Sequence, residues 1–267
     1  MNTAPNPTDS SLLLWLVAAV VAMLASHVSL RWALLARRST PLWRQWPALL
    51  VASAAFGTGL TATMLLATAA QGLMFPVGYP WTWVAGLWLG TVLACVPVAC
   101  ALAASERWWL VLPAAALLGG LAVGQQLGWL AAAGFRPGIV WRPLLLTAGA
   151  MAEVIGLMVA AWIVFTPVAK ESPRRRWWLA GAAVLGGLSV AGGQELLIAA
   201  AGLEYQVDSI YRHRVPNSVL CLVAGVVVPL VYVMASVDLM LRAPLRNPSQ
   251  GDGKKRRRKR RHRIRAL

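Results

Sequence analysis

The chain has 267 residues, of which 58% are hydrophobic and only 13% charged, with a mean hydropathy of +0.62. A soluble domain carries roughly a quarter charged residues, so this composition excludes an ordinary soluble enzyme or binding domain and points to the integral-membrane class. The net charge of +16 does not describe the body of the chain, because ten Lys or Arg fall in one stretch, KKRRRKRRHRIR at 254–265.

The first ten residues, MNTAPNPTDS, contain no Lys or Arg. They read as a short external N-terminus and lack the positive n-region of a signal peptide, so the first apolar run reads as retained. Apolar runs then fall near 11–33, 46–74, 81–104, 108–133, 143–167, 177–202 and 217–241. Each can cross a hydrocarbon core about 30 Å thick as a helix, and only helices or closed barrels satisfy the backbone inside lipid. Barrel strands would alternate in polarity, and these runs do not. The expected fold is all-α, a polytopic bundle of seven transmembrane helices over residues 11–242. Tryptophans recur at the span starts (Trp43 and Trp46, Trp81 and Trp83, Trp108 and Trp109, Trp141, Trp177 and Trp178), where indole rings favour the headgroup level.

The loops predict orientation. Loop 1–2 carries Arg37, Arg38 and Arg44, loop 5–6 carries Lys170, Arg174, Arg175 and Arg176, and residues 243–267 carry the polybasic run. In a seven-span chain these three segments share a side. The positive-inside rule makes that side cytoplasmic and the N-terminus external.

Along the spans, one phrase returns. Span 2 holds FGTGLTATMLLATAAQG at 56–72, span 4 holds LLGGLAVGQQLGWLAAAG at 117–134, and span 6 holds VLGGLSVAGGQELLIAAAG at 184–202. Each has a small-residue approach, a variable block and an alanine-rich exit, which predicts a threefold repeat of helical hairpins. The odd spans carry LASHVSL at 24–30 and PVACAL at 97–102. This layout resembles the MHYT domain, a bacterial integral-membrane sensor module, over about residues 11–202. The resemblance implies a sensor in the bacterial inner membrane, with copper or a diatomic gas held by Met and His of the repeated motif. The family's Met-His pair falls here on Thr63 and Met64, on Gly124 and Gln125, and near Gly193 and Gln194, so its histidines are missing. A carboxamide is a poor copper ligand. No cofactor is therefore expected, although the resemblance alone implies copper. Met64 and Met151 are the remaining soft-ligand candidates.

Two readings stay open for the polar residues inside the spans. At about 1.5 Å of rise per residue, Glu195 lies roughly 10 Å and Gln125 and Gln126 roughly 12 Å inside the outer face. Glu153 falls at roughly 16 Å on the same count, near the bilayer middle. Ionisable residues at such depth must face protein or water, so Gln125, Gln126, Gln194, Glu195 and Glu153 form a candidate ligand or proton site. In the other reading the glutamines join helices across a seam of small residues, Gly120, Gly124 and Gly128.

The tail, residues 243–267, reads as a disordered cytoplasmic segment. Lys254, Lys255, Arg256, Arg257, Arg258, Lys259, Arg260 and Arg261 are expected to lie on anionic lipid headgroups or to meet an acidic protein partner. Without interleaved aromatics nothing in them points to nucleic acid. The chain has no GxSxG, HExxH, P-loop or CxxC motif and is expected not to be an enzyme. The predicted function is a membrane sensor or signalling module that acts through a partner. The alternatives are a small proton-coupled transporter using Glu153 and Glu195, or an accessory subunit of a membrane complex.

Overall fold

The computed structural model describes residues 11–38, 42–104, 107–165 and 175–242. The chain divides into two compact units, residues 1–232 and 233–267. Of the second, the described part is the end of the last helix. The fold is all-helical. Its long helices are α1 (Leu12–Arg38), α2 (Leu42–Ala70), α3 (Trp81–Ala104), α4 (Trp108–Ala132), α5 (Pro143–Phe165) and α6 (Arg175–Ala201). The last span comprises α7 (Asn217–Leu222), a π-helical turn (Val223–Val227) and α8 (Val228–Arg242). Among the described residues seven helical stretches are long and apolar enough to cross a membrane, so the chain is a multi-pass membrane protein.

Within the first unit the neighbours alternate. Helix α1 packs against α2 and α6, α3 against α2 and α4, and α5 against α4 and α6. The even helices also touch one another, so α2, α4 and α6 form an inner trio. Helix α2 is the most enclosed, with 78% of its membrane-length window buried. Its hydroxyls tolerate this position because they bond their own backbone: Thr61 donates to the Gly57 carbonyl at 3.0 Å and Thr63 to that of Gly59 at 2.8 Å. Such i−4 bonds satisfy a buried hydroxyl without needing another helix.

The three inner helices end alike. Gly72, Gly134 and Gly202 adopt φ of 62°, 58° and 56°, and their amides donate back to Ala69, Ala131 and Ala199. A left-handed residue after the last turn stops a helix at little cost only when it is glycine. This is why α2 stops at Ala70, short of the end of its apolar run at 74. Past these stops, two-residue strands link the connections. β1 (Gly78–Tyr79) pairs antiparallel with β4 (Val215–Pro216), and β2 (Phe135–Arg136) with β3 (Asp208–Ser209). The connections after α2, α4 and α6 therefore share one end of the bundle, here called the strand end. Gln206 fastens it further, accepting from the Gly138 amide at 3.3 Å and donating to the Gly138 carbonyl at 3.0 Å.

Candidate functional site

The glutamines meet where the inner trio meets. Gln125 and Gln126 project from α4, and Gln194 and Glu195 from α6. Gln125 donates its amide to the Thr61 hydroxyl of α2 at 3.1 Å. Gln126 donates to the Gln194 carbonyl of α6 at 3.5 Å, and Gln194 to the Leu60 carbonyl of α2 at 3.4 Å. The last two are at the long end of hydrogen bonding, yet they close a path from α4 to α6 to α2. At the helix end, Gln71 donates to Glu195 Oε1 at 2.7 Å. Glu153 of α5 joins through Gly193, whose missing Cβ leaves the space that the Glu153 side chain fills. Gln125, Gln126 and Gln194 are thus tied into one node with Thr61, while Glu153 packs on Gly193 beside Gln194 and Glu195 meets Gln71 at the helix end. The repeated phrase contains Gln71, but the helix stops at Ala70, one residue before it.

The orientation of the carboxamides decides what the node offers. The nitrogens of Gln126 and Gln194 face backbone carbonyls, which only accept, so turning either amide over would set oxygen against oxygen. Their oxygens are left to accept, and no donor reaches either one among the described residues. The same holds for Gln125 Oε1, Glu195 Oε2 and both oxygens of Glu153. Gln126, Gln194 and Glu153 are 0% exposed. Each unpartnered buried polar atom costs about 1–3 kcal/mol, and several belong to α4, α5 and α6 here. The node has acceptors in excess.

Toward the strand end, Tyr79 and Trp129 pack edge to face, with ring centroids 5.0 Å apart. Both are fully buried, and Trp129 Nε1 has no partner among the described residues. Burial pushes the Tyr79 hydroxyl well above its ordinary value, so it stays a neutral donor.

Two expectations need correction. Met64 is fully buried and its sulfur accepts from the Thr68 hydroxyl, whereas Met151 is 55% exposed on the outside of α5. They cannot form a soft-metal pair. Of the small-residue seam, Gly128 lies close against α3 while Gly120 and Gly124 do not meet a neighbour. A Cβ on Gly120 or Gly124 would meet open space, and one on Gly128 would meet only the Leu87 side chain. The close approach on α4 is one residue earlier, at Gly119, where a Cβ would lie 2.6 Å from the Val154 Cα of α5. One residue turns a helix by 100°, enough to move a face from protein to lipid.

A second feature lies on the side of the trio away from the strand end. A cavity of about 50 Å³ is lined by Ser26, Ser53, Phe56, Cys95, Leu157 and Gly186 among others. It is almost wholly apolar. Among the described residues no three His, Cys, Asp or Glu side chains gather in a way that could hold a metal. The basic residues of loop 5–6 up to Arg174, and Lys254 to Arg261 of the tail, lie outside the described residues.

Comparison with protein-family models, with curated proteins and with solved structures found no match in any of the three.

Proposed function

We propose that the chain is a membrane-embedded sensor module, with the node between α2, α4 and α6 as its binding site and a partner protein as its output. The observation that carries this reading is the fully buried, donor-less oxygens of Gln126 and Gln194 on two inner helices. A site short of hydrogen-bond donors gains most from a ligand that brings them. Because the three helices are tied through these same amides, filling the node would change how they pack. The alternation of inner and outer helices supports a threefold repeat, as do the three matching glycine stops, and that layout is what the MHYT resemblance rests on. The missing histidines leave copper out of the proposal. Arg37 supports a cytoplasmic end opposite the strands: it donates to the Phe165 carbonyl at 2.9 Å, at the end of the bundle where the basic loops emerge.

Glu153 favours a second reading, a proton-coupled carrier, because a buried carboxyl without partners is a common proton relay in membranes. Purified protein in liposomes separates the two. A sensor leaves a pH gradient intact while a change at the node, such as Gln194→Leu, alters hydrogen exchange in the inner helices far from position 194. A carrier dissipates the gradient, and Glu153→Gln abolishes that flux.

A further inference from the structure

We propose that the node binds a small monovalent cation. The inference rests on reading the node as a ligand site and adds the class of ligand. Among the described residues no donor reaches the three carboxamide oxygens of Gln125, Gln126 and Gln194, nor Glu195 Oε2 or either oxygen of Glu153. All six atoms are oxygens. The nitrogens of Gln126 and Gln194 donate to backbone carbonyls, which only accept, so turning either of those two amides over would set oxygen against oxygen.

The chemistry of the donors narrows the guest. Hard oxygens suit alkali and alkaline-earth ions, and the set contains no thiolate or imidazole to select a transition metal. Divalent ions usually recruit several carboxylates. Here Glu195 has one oxygen committed to Gln71, and only Glu153 offers a whole carboxylate. Neutral carbonyl-type oxygens with little fixed charge are the means by which membrane proteins hold dehydrated monovalent ions. One such ion beside one carboxylate leaves little net charge in the bundle. Ammonium fits the same description, and its N–H groups would supply the missing donors directly.

The test is thermal unfolding of the whole protein in detergent, at fixed pH and ionic strength. Sodium, potassium or ammonium chloride replaces the chloride of bulky N-methylglucamine. The expected result is a saturable rise in Tm with at least one small cation, roughly 5–10 °C at a hundredfold excess over its dissociation constant. Gln194→Leu and Gln126→Leu should each lose that rise while still unfolding cooperatively. Which of the three salts acts identifies the ion.

Two other outcomes overturn the proposal and differ in what they leave standing. In the first, no cation shifts Tm, but stability depends on pH and Glu153→Gln removes that dependence. The node would then be a proton site, and the ligand reading would survive without the cation. In the second, Tm is indifferent to cations and to pH and both leucine variants are at least as stable as the parent. The node would then be a packing feature, and both readings would fall.

Discussion

Helix α2 and the last span are both apolar enough to cross a membrane, yet their surroundings are opposite. The window of α2 is 78% buried and that of the last span, Asn217–Leu239, 11%. Their order in hydropathy runs the other way: the last span is the most apolar of the seven, while the three inner helices α2, α4 and α6 are the least. Lipid tolerates no polar atom without a partner, whereas a protein interior supplies partners. In a membrane bundle, therefore, the helices that carry threonine, glutamine and glycine belong at the centre, and the most hydrophobic helix belongs at the rim. The rule is the reverse of that for a soluble core.

The largest effect that can test this contrast comes from one substitution made in both helices. Leu60 of α2 is 2% exposed and packs with Phe56, Ala122 and Val190. Leu60→Ala should cost about 2–5 kcal/mol, as deletion of a buried leucine does. Leu230 in α8 is 61% exposed, and Leu230→Ala should stay within about 0.5 kcal/mol. Reversible unfolding in mixed micelles measures both. Equal costs would mean that the last span is covered as thoroughly as α2, by a second copy or a partner helix.

A smaller effect sharpens the comparison within one helix. Gly119→Ala sets a methyl against the Val154 backbone, which cannot rotate away, and should cost about 1–3 kcal/mol by overpacking. Gly120→Ala meets nothing and should be neutral or stabilising by up to about 1 kcal/mol, since alanine is the better helix former. The same unfolding assay decides. If the two changes behave alike, α4 is not rotated as described.

These two glycines also show where sequence reasoning stops. The spans were legible because length and hydropathy are properties of one helix alone. The polar node was legible because glutamine and glutamate inside an apolar run need a reason, and the repeated phrase put them on alternate helices. The face of α4 that meets protein was not legible: the four-residue spacing of Gly120, Gly124 and Gly128 marks a smooth face, and a smooth face suits lipid as well as a neighbour. Thr61 escaped notice because threonine is unremarkable in a helix until another helix brings it a donor. The strands at Gly78–Tyr79 and Phe135–Arg136 are two residues long, too short for any alternation to register. The exposure of Met151 was not legible because its residue type carries no sign of the direction in which a helical side chain points.

The smallest predicted effect concerns what holds the exposed span to the buried one. Tyr232 donates its hydroxyl to the Ala55 carbonyl of α2 at 2.6 Å and is only 3% exposed. Nearer the strand end the Cys221 thiol lies 3.2 Å from the Leu65 carbonyl. The tyrosine is the stronger tie, since a phenol is a far better donor than a thiol. Tyr232→Phe keeps the ring and removes only the donor. Its cost should be about 0.5–1.5 kcal/mol, toward the lower end because membrane hydrogen bonds average about 0.6 kcal/mol. The Ala55 carbonyl still accepts within its own helix, so the loss does not strand a buried acceptor. Hydrogen exchange should show faster opening confined to the last span, with α2 unchanged. Faster exchange in α2 as well would mean that the rim helix helps hold the centre together, and the division between the two would be less sharp than their burial suggests.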